Sequence, residues 1–352
     1  MAAPLGASIE AAGVAMPTQC FGTMNTWDME AIGGALDAGY RHFDLAMLYG
    51  NHALLGAFFE ERFKADASLG RSDVFLTTKI WTRHMRDPRA ACEECLRDLR
   101  TDYLDCLLLH MPFGLMPNYM TAPDLALDLR AAWAALEALK AEGKVRSIGV
   151  SNFEVKHLEA LLAACDVRPV VNQIERHPCC QQGALVAYCQ KERIALSAYN
   201  PLHKRRPELV ESPALAAIAE KRGKTPTQIA LKWCHQTGVF PIPMSRNHAA
   251  ENFDLLSYEL DAADLAAVAA LDANRRDYNA GFTHYGRLSH ESYAYQRALE
   301  KAHDYLTFAI ASAMPRPPLS KLGSLWALGI AVSLGVAEHV LTKLLRALRL
   351  VN

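Results

Sequence analysis

Four residues in the first third of the chain carry side chains that could together protonate a carbonyl oxygen. They are Asp44, Tyr49, Lys79 and His110. A phenol has an unperturbed pKa near 10 and is a weak acid at neutral pH, and a nearby ammonium group lowers that pKa. A buried ammonium group needs a counter-ion, which Asp44 can supply to Lys79. The set predicts that Tyr49 acts as a general acid and that His110 orients the carbonyl.

These four residues offer neither a shell of metal ligands nor a primed serine or cysteine nucleophile. The hydride that completes a carbonyl reduction would therefore come from a cofactor. Each residue also has a structural interpretation: a helix cap for Asp44 and a turn for Tyr49. Lys79 could be an exposed strand end and His110 a core histidine. The catalytic interpretation gains weight only if all four converge.

The order of elements along the chain predicts that convergence. Eight β-like runs alternate with helical runs, which indicates a parallel sheet, and eight such units in roughly 250 residues indicate an α/β fold of the (β/α)8 TIM barrel type. A doubly wound sheet is the alternative, but no glycine-rich phosphate turn follows the first run. The predicted strands cover residues 19–23, 40–46, 74–81, 103–111, 145–153, 170–175, 194–200 and 239–245.

Polar residues recur at the ends of these runs. In a TIM barrel, the carboxyl ends of the strands and the loops beyond them form the functional rim. The four residues above should lie there, at the second, third and fourth strands. Further polar residues at the ends of later strands are Ser151, Asn152, Gln173, Glu175, Tyr199 and Ser245.

Composition excludes several other classes of protein. The 352 residues carry a formal net charge of −1 and are 51% hydrophobic, so nothing points to nucleic acid. The first 13 residues lack the basic start and apolar run of a signal peptide. Nine scattered cysteines fit reduced thiols and a cytoplasmic protein, and we interpret Cys92–Cys95 and Cys179–Cys180 as structural.

A series of motifs carries a resemblance to a known family. GYRHFDLAMLYGN, TTKIW, LLLHMP, GKVRSIGVSNF, NQIERHP, AYNPL and IPMS occur in order within roughly residues 8–285. In these motifs the chain resembles the aldo-keto reductases. The resemblance implies a TIM barrel, reduction of an aldehyde or ketone, and a nicotinamide cofactor, usually NADPH, without a metal.

The resemblance also implies roles for individual residues. Tyr49 would be the general acid, Lys79 would lower its pKa, Asp44 would pair with Lys79, and His110 would orient the substrate. Tyr199 would stack on the nicotinamide. The implied cofactor-binding residues are Thr23, Asp44, Ser151, Asn152, Gln173, Tyr199, Leu202, Ser245, Arg246, Glu251 and Asn252.

The chain departs from the family pattern at the adenosine end and in the substrate pocket. Met244 replaces a common lysine, which leaves Arg246 as the main cation for a 2′-phosphate. We predict NADPH (NADP+), with NADH as the alternative. Met24 and Met111 replace common tryptophans, which indicates an apolar, adaptable pocket. The predicted substrate-binding residues are Met24, Trp81, His110 and Met111.

The last part of the chain lies beyond the resemblance. We divide the chain into a barrel of residues 1–285 and a helical extension of residues 286–352. The extension holds a 16-residue run without charge, which is short for a membrane span, and then a basic amphipathic run. It could lie on a membrane surface, or pack on the barrel or on a partner.

An alternative to the enzyme is a regulatory subunit that binds the cofactor with slow or no turnover. The intact set of four residues favours the enzyme, and an assay of turnover separates the two hypotheses.

Overall fold

The computed structural model describes residues 6–11, 13–114 and 127–278. The described residues form ten strands and eleven helices. The strands are β1 Ser8–Ala11, β2 Val14–Pro17, β3 Cys20–Gly22, β4 His42–Asp44, β5 Phe75–Ile80, β6 Leu104–Leu109, β7 Val145–Ser151, β8 Val171–Glu175, β9 Ala195–Tyr199 and β10 Phe240–Pro241.

Strands β3 to β10 form one eight-stranded sheet in which each strand pairs in parallel with the next one along the chain. The sheet closes where Gly22 N donates to the carbonyl oxygen of Pro243 at 2.9 Å. Glycine suits this seam, because an added Cβ would lie 3.2 Å from Cγ2 of Ile242. The predicted (β/α)8 TIM barrel is confirmed. We call the carboxyl ends of its strands the upper end and the amino ends the lower end.

The helices follow the strands as the hydrophobic pattern predicts. Several begin at a side-chain cap that accepts a backbone N–H, as Asp28, Asp87 and Asp128 do. The helices are α1 Met29–Asp37, α2 His52–Ala65, α3 Pro88–Asp98, α4 Leu129–Ala141, α5 Val155–Leu162, α6 Gly183–Lys191, α7 Pro207–Val210, α8 Pro213–Arg222, α9 Pro226–Gln236, α10 Ala249–Phe253 and α11 Ala262–Ala269.

Some elements differ from the sequence-based prediction. The antiparallel hairpin of β1 and β2 was not predicted; its turn contains Gly13, whose φ of +81° is easy only for glycine. Helices α7, α10 and α11 were not predicted either. The last strand keeps only two of its seven predicted residues, because Pro241 and Pro243 cannot donate to a sheet.

The cysteines behave as small core residues. All nine are free thiols, and only Cys165 is more than marginally exposed. Burial raises the pKa of Cys92 to about 11, so this thiol stays protonated at neutral pH. This supports the structural interpretation of the Cys92–Cys95 pair.

The predicted extension of residues 286–352 lies outside the described residues, and so do the membrane and partner contacts predicted for it. The proposed boundary at residue 285 stays a prediction. Within the part of the chain that the structure describes, no helix has both the length and the apolar character needed to cross a membrane.

Candidate active site

Three neighbouring strands bring the four predicted catalytic residues together at the upper end. Asp44 is the last residue of β4, Lys79 is the next-to-last residue of β5, and His110 directly follows β6. Tyr49 ends a short 3₁₀ turn, Met47–Tyr49, that follows β4. The parallel register places these strand ends side by side.

Lys79 is the centre of this cluster. Its side chain is fully buried, and Nζ lies 2.8 Å from each carboxylate oxygen of Asp44. Nζ also donates to the carbonyl oxygen of Leu45 at 2.7 Å and to the hydroxyl of Tyr49 at 3.2 Å. An ammonium group with three donors therefore has three partners, and one of them is the phenol.

Asp44 also contacts Gln173 and Tyr49. Its Oδ1 accepts a hydrogen bond from Gln173 Nε2 at 2.7 Å. Its Oδ2 lies 3.5 Å from the hydroxyl of Tyr49, which is long for an O–H···O bond. The phenol proton is thus only weakly held by the carboxylate.

Burial controls the pKa values of Tyr49 and Lys79. Burial, and then the Asp44 carboxylate, raise the pKa of Tyr49 well above its usual value. This direction is opposite to the lowering that the sequence predicts, and its main causes are burial and the Asp44 carboxylate. Burial lowers the pKa of Lys79, and the charge of Asp44 opposes that shift.

His110 faces two aromatic rings across the cluster. Its ring centroid is 6.4 Å from that of Tyr49 and 5.0 Å from that of Trp81, with both pairs edge to face. Burial, and then Lys79, lower the pKa of His110 well below its usual value, so the imidazole is neutral at neutral pH. Its Nδ1 is buried and has no hydrogen-bond partner among the described residues.

The residues predicted to meet a carboxamide lie beside the cluster. Asn152 adopts a left-handed backbone with φ of +64°, and its Nδ2 donates to the carbonyl oxygen of His110 at 2.9 Å and to Ser151 Oγ at 3.0 Å. Asn152 Oδ1 accepts from the hydroxyl of Tyr199 at 2.7 Å. Ser151 Oγ donates to the carbonyl oxygen of Gln173 at 3.0 Å. One hydrogen-bonded chain therefore runs from His110 to β8 and β9.

The residues predicted for the adenosine end are held by local pairs. Nε and one terminal nitrogen of Arg246 contact Asp28 Oδ2 at 2.7 Å, and Arg246 is mostly exposed. Glu251 accepts from Thr225 at 2.6 Å. Ser245 Oγ accepts from the backbone N–H of His248 at 2.9 Å. Asn252 is buried, and its Oδ1 has no partner in the described part of the chain.

The remaining predicted contacts are unequal in exposure. Met24 is 36% exposed, whereas Met111 is 3% exposed and therefore buried. Trp81 is partly exposed beside His110. Thr23 donates through Oγ1 to the carbonyl oxygen of Asp44 at 2.9 Å. Leu202 is partly buried against the core.

Sequence reasoning missed three contributors to the site. The carbonyl oxygen of Leu45 is a third partner of Lys79, and a backbone acceptor cannot be read from residue types. Asn51, which is buried, donates to the carbonyl oxygens of Thr23 at 2.9 Å and Thr26 at 3.1 Å. Tyr278 lies edge to face with Tyr199 at 5.9 Å. Asn51 closes the motif DLAMLYGN and could have been noticed there.

The donor set fits a nicotinamide dinucleotide. Hydroxyl and amide groups of Ser151, Asn152 and Gln173 match the hydrogen-bonding needs of a carboxamide. The Tyr199 ring offers a face for stacking. The unpartnered buried Oδ1 of Asn252 is a free acceptor at the far end of the same rim.

Comparisons with known proteins give matches to one family. A sequence model of the Aldo/keto reductase family matches residues 26–273. Aldose reductase B of Dictyostelium discoideum is 35% identical over 264 residues, which cover 70% of this chain and 85% of the relative. Methylglyoxal reductase DkgA of Salmonella typhimurium is 37% identical over 248 residues, with the same two coverages of 70% and 85%.

A solved structure shows the same similarity in three dimensions. The aldo-keto reductase of Bombyx mori, solved in complex with NADP, is 31% identical and superposes with a TM-score of 0.72. The match covers 79% of this chain and 96% of that chain.

Proposed function

The chain belongs to the aldo/keto reductase family and is an oxidoreductase, and from this premise we propose that it reduces an aldehyde or ketone to an alcohol with Tyr49 as the proton donor. The observation that carries the proposal is the contact of a fully buried ammonium group, Lys79 Nζ, with the hydroxyl of Tyr49 at 3.2 Å. The nicotinamide cofactor, when bound, supplies the hydride.

The residues of the chain have separate tasks in this reaction. A phenol is protonated at neutral pH, so a proton is available on Tyr49 when negative charge develops on the substrate oxygen. Lys79 stabilises the phenolate that remains once the proton has left, because its positive charge lies beside the phenol oxygen. Asp44 and the carbonyl oxygen of Leu45 fix the lysine in place.

His110 suits the task of orienting the carbonyl. A neutral imidazole carries one N–H, and Nδ1 of His110 faces no acceptor among the described residues. The proton is better placed on Nε2, from which it can be donated to the carbonyl oxygen. Trp81, packed against the ring at 5.0 Å, holds the imidazole in orientation.

We propose NADPH as the preferred cofactor. A solved relative is in complex with NADP, and Arg246 supplies an exposed guanidinium group at the predicted adenosine end. Guanidinium groups bind phosphate with two hydrogen bonds. NADH has no 2′-phosphate for Arg246 to bind. An Arg246 variant should therefore bind NADPH more weakly than the wild type and bind NADH equally well.

The test of the proposal is turnover in a Tyr49→Phe variant. The assay follows oxidation of NADPH by a panel of aldehydes and ketones, alongside direct measurement of NADPH binding. We expect a loss of about 10²- to 10⁴-fold in kcat, the usual contribution of general acid catalysis, with cofactor binding retained.

Tyr40→Phe is the matched control. Tyr40 is buried near the lower end, and its hydroxyl has no partner in the described residues. Removing that hydroxyl should leave turnover unchanged. Wild-type protein that binds NADPH but turns over no carbonyl compound would instead support the regulatory subunit.

A further inference from the structure

A second buried cluster of ionisable side chains lies apart from the four catalytic residues. His177 follows β8, His203 lies in the loop after β9, and Asp277 lies near the end of the described chain. The imidazole rings of His177 and His203 are stacked with centroids 4.2 Å apart, and both side chains are fully buried. His203 Nδ1 lies 2.7 Å from Asp277 Oδ2.

The histidines of this cluster have more nitrogen atoms than partners. Nδ1 and Nε2 of His177 and Nε2 of His203 are all buried without a hydrogen-bond partner among the described residues. The nearby carboxylate of Glu175 stays 3.6 Å from His177 Nε2. Buried polar atoms are normally satisfied by protein, water or an ion. Each neutral imidazole has one lone pair, so each of the two histidines has a lone pair that a bound metal ion could accept.

We propose that His177, His203 and Asp277 bind a divalent transition-metal ion of the zinc class. One ligand-type atom from each of the three residues lies within 4.8 Å of the others. Two imidazoles and one carboxylate form a ligand set suited to zinc, whereas magnesium and calcium prefer oxygen ligands throughout. Three protein ligands leave one tetrahedral position for water or another donor.

Two carboxylates and two cationic side chains, Arg206 and Lys204, lie around the cluster. Asp277 and Glu175 provide two carboxylates. The guanidinium group of Arg206 donates to Asp277 Oδ1 at 2.8 Å, so it contacts the oxygen that faces away from His203. Asn200 Nδ2 donates to Asp277 Oδ2 at 3.1 Å. The amide and the His203 ring are thus the groups that an ion at Oδ2 would meet.

Binding requires a local rearrangement. Ligands of a tetrahedral zinc ion are roughly 3.3 Å apart, since zinc–ligand bonds are about 2.0 Å. The three ligand atoms, at up to 4.8 Å from one another, must therefore draw together. Stacked rings cannot both aim a nitrogen at one ion, so one imidazole must turn out of the stack. The loop after β9 is the element that would move.

This site would connect three parts of the barrel rim. The ion would tie the end of β8 and the segment around Asp277 to the loop that follows Tyr199 and carries Leu202. The ion takes no part in the proposed proton transfer. The metal site does not depend on the proposed function, because its ligands are separate from the four catalytic residues.

The experiment is a metal titration of the full-length protein after treatment with a chelator. Zinc chloride is added in a calorimeter, and thermal unfolding is measured with and without zinc. Cobalt(II) chloride then serves as a coloured probe of the ligands. We expect one equivalent of zinc to bind and raise Tm, and cobalt to show no thiolate-to-metal charge-transfer band.

Variants identify the ligands. His203→Ala and the near-isosteric Asp277→Asn should each weaken zinc binding by at least about 10-fold, the size of effect seen when only an outer contact of a metal ligand is lost. His248→Ala is the control, because His248 and Glu251 form an exposed pair at 2.9 Å elsewhere on the rim. It should leave zinc affinity unchanged.

Three results would overturn the proposal. One is the absence of zinc binding to the wild-type protein, which would leave the cluster filled by water. Another is a cobalt charge-transfer band, which would place the metal on cysteine. The third is full zinc affinity in Asp277→Asn, a variant that keeps the shape of the site and guards against misfolding of His203→Ala.

Discussion

The two ends of the barrel bury similar ionisable groups but leave them in different states. At the lower end, the Asp105 carboxylate accepts from Leu76 N at 2.9 Å and from Arg71 at 2.8 Å through Oδ2, and from Arg146 at 3.0 Å through Oδ1. His42 is satisfied at both ring nitrogens, by the carbonyl oxygen of Pro17 and by Thr77 Oγ1, each at 2.8 Å.

At the upper end, the ionisable groups are equally buried but incompletely paired. All three donors of Lys79 have partners. The hydroxyl proton of Tyr49, in contrast, has only a long contact of 3.5 Å to its acceptor, Asp44 Oδ2. Nδ1 of His110 has no partner in the described residues. Saturated polar groups stabilise a fold, whereas open ones remain available to a ligand. For Asp105 and His42 the comparison therefore indicates a role in stability, and for Tyr49 and His110 it indicates a role in chemistry.

The largest effect expected at the lower end is a loss of stability in acid. Burial lowers the pKa of His42 to about 4, from an ordinary value of 6.5. Above pH 6.5 both the folded and unfolded states hold a neutral imidazole. Between pH 6.5 and 4 only the unfolded state takes up the proton, so folding loses up to about 3 kcal/mol. Denaturant unfolding across this pH range measures the loss.

A His42→Gln variant isolates that contribution. Its free energy of unfolding should fall less steeply with pH than that of the wild type. His248→Gln, at an exposed histidine, is the control and should follow the wild type. Identical slopes in all three proteins would mean that His42 does not contribute.

A smaller loss of stability is expected for Asp105→Asn. The change removes the negative charge from between Arg71 and Arg146. Breaking a fully buried pair costs about 3–5 kcal/mol, and because both arginines are partly exposed we expect about 2 kcal/mol. Urea unfolding measures this value. Asp102→Asn changes an exposed neighbour and should cost little, while kcat should be unaffected in both variants. A selective loss of kcat in Asp105→Asn would contradict the assignment of Asp105 to stability alone.

The smallest effect concerns Arg246 at the upper rim. Arg246→Ala removes an exposed ion pair with Asp28, so Tm should hardly change. We expect about a tenfold loss of NADPH affinity from the missing phosphate contact, with NADH affinity retained. Fluorescence titration with both nucleotides measures this difference. Equal weakening of both would remove Arg246 from the 2′-phosphate site.

The barrel strands and three of the four catalytic residues could be placed from the sequence. The eight barrel strands were found because apolar β-like runs alternate with amphipathic helices, and Asp44, Lys79 and His110 were placed because each lies at a strand end. The β1–β2 hairpin was not predicted, because strands of four residues are too short to show a clear alternation of apolar and polar residues.

Properties that arise only on folding were not predictable. The pKa of Tyr49 shifts upward through burial, whose extent no residue type reveals. His177, His203 and Asp277 are far apart in the chain and share no motif spacing. Only the loops of the folded barrel bring these three together.

The central claim is that Tyr49 and Lys79 act as one proton-donating unit. Single-turnover rates of carbonyl reduction at saturating NADPH should be compared for Tyr49→Phe, Lys79→Met and the double variant. Groups that act together have non-additive effects, so the account predicts that the double variant is no slower than the slower single variant. A double variant slowed by the product of the two single effects would contradict the account.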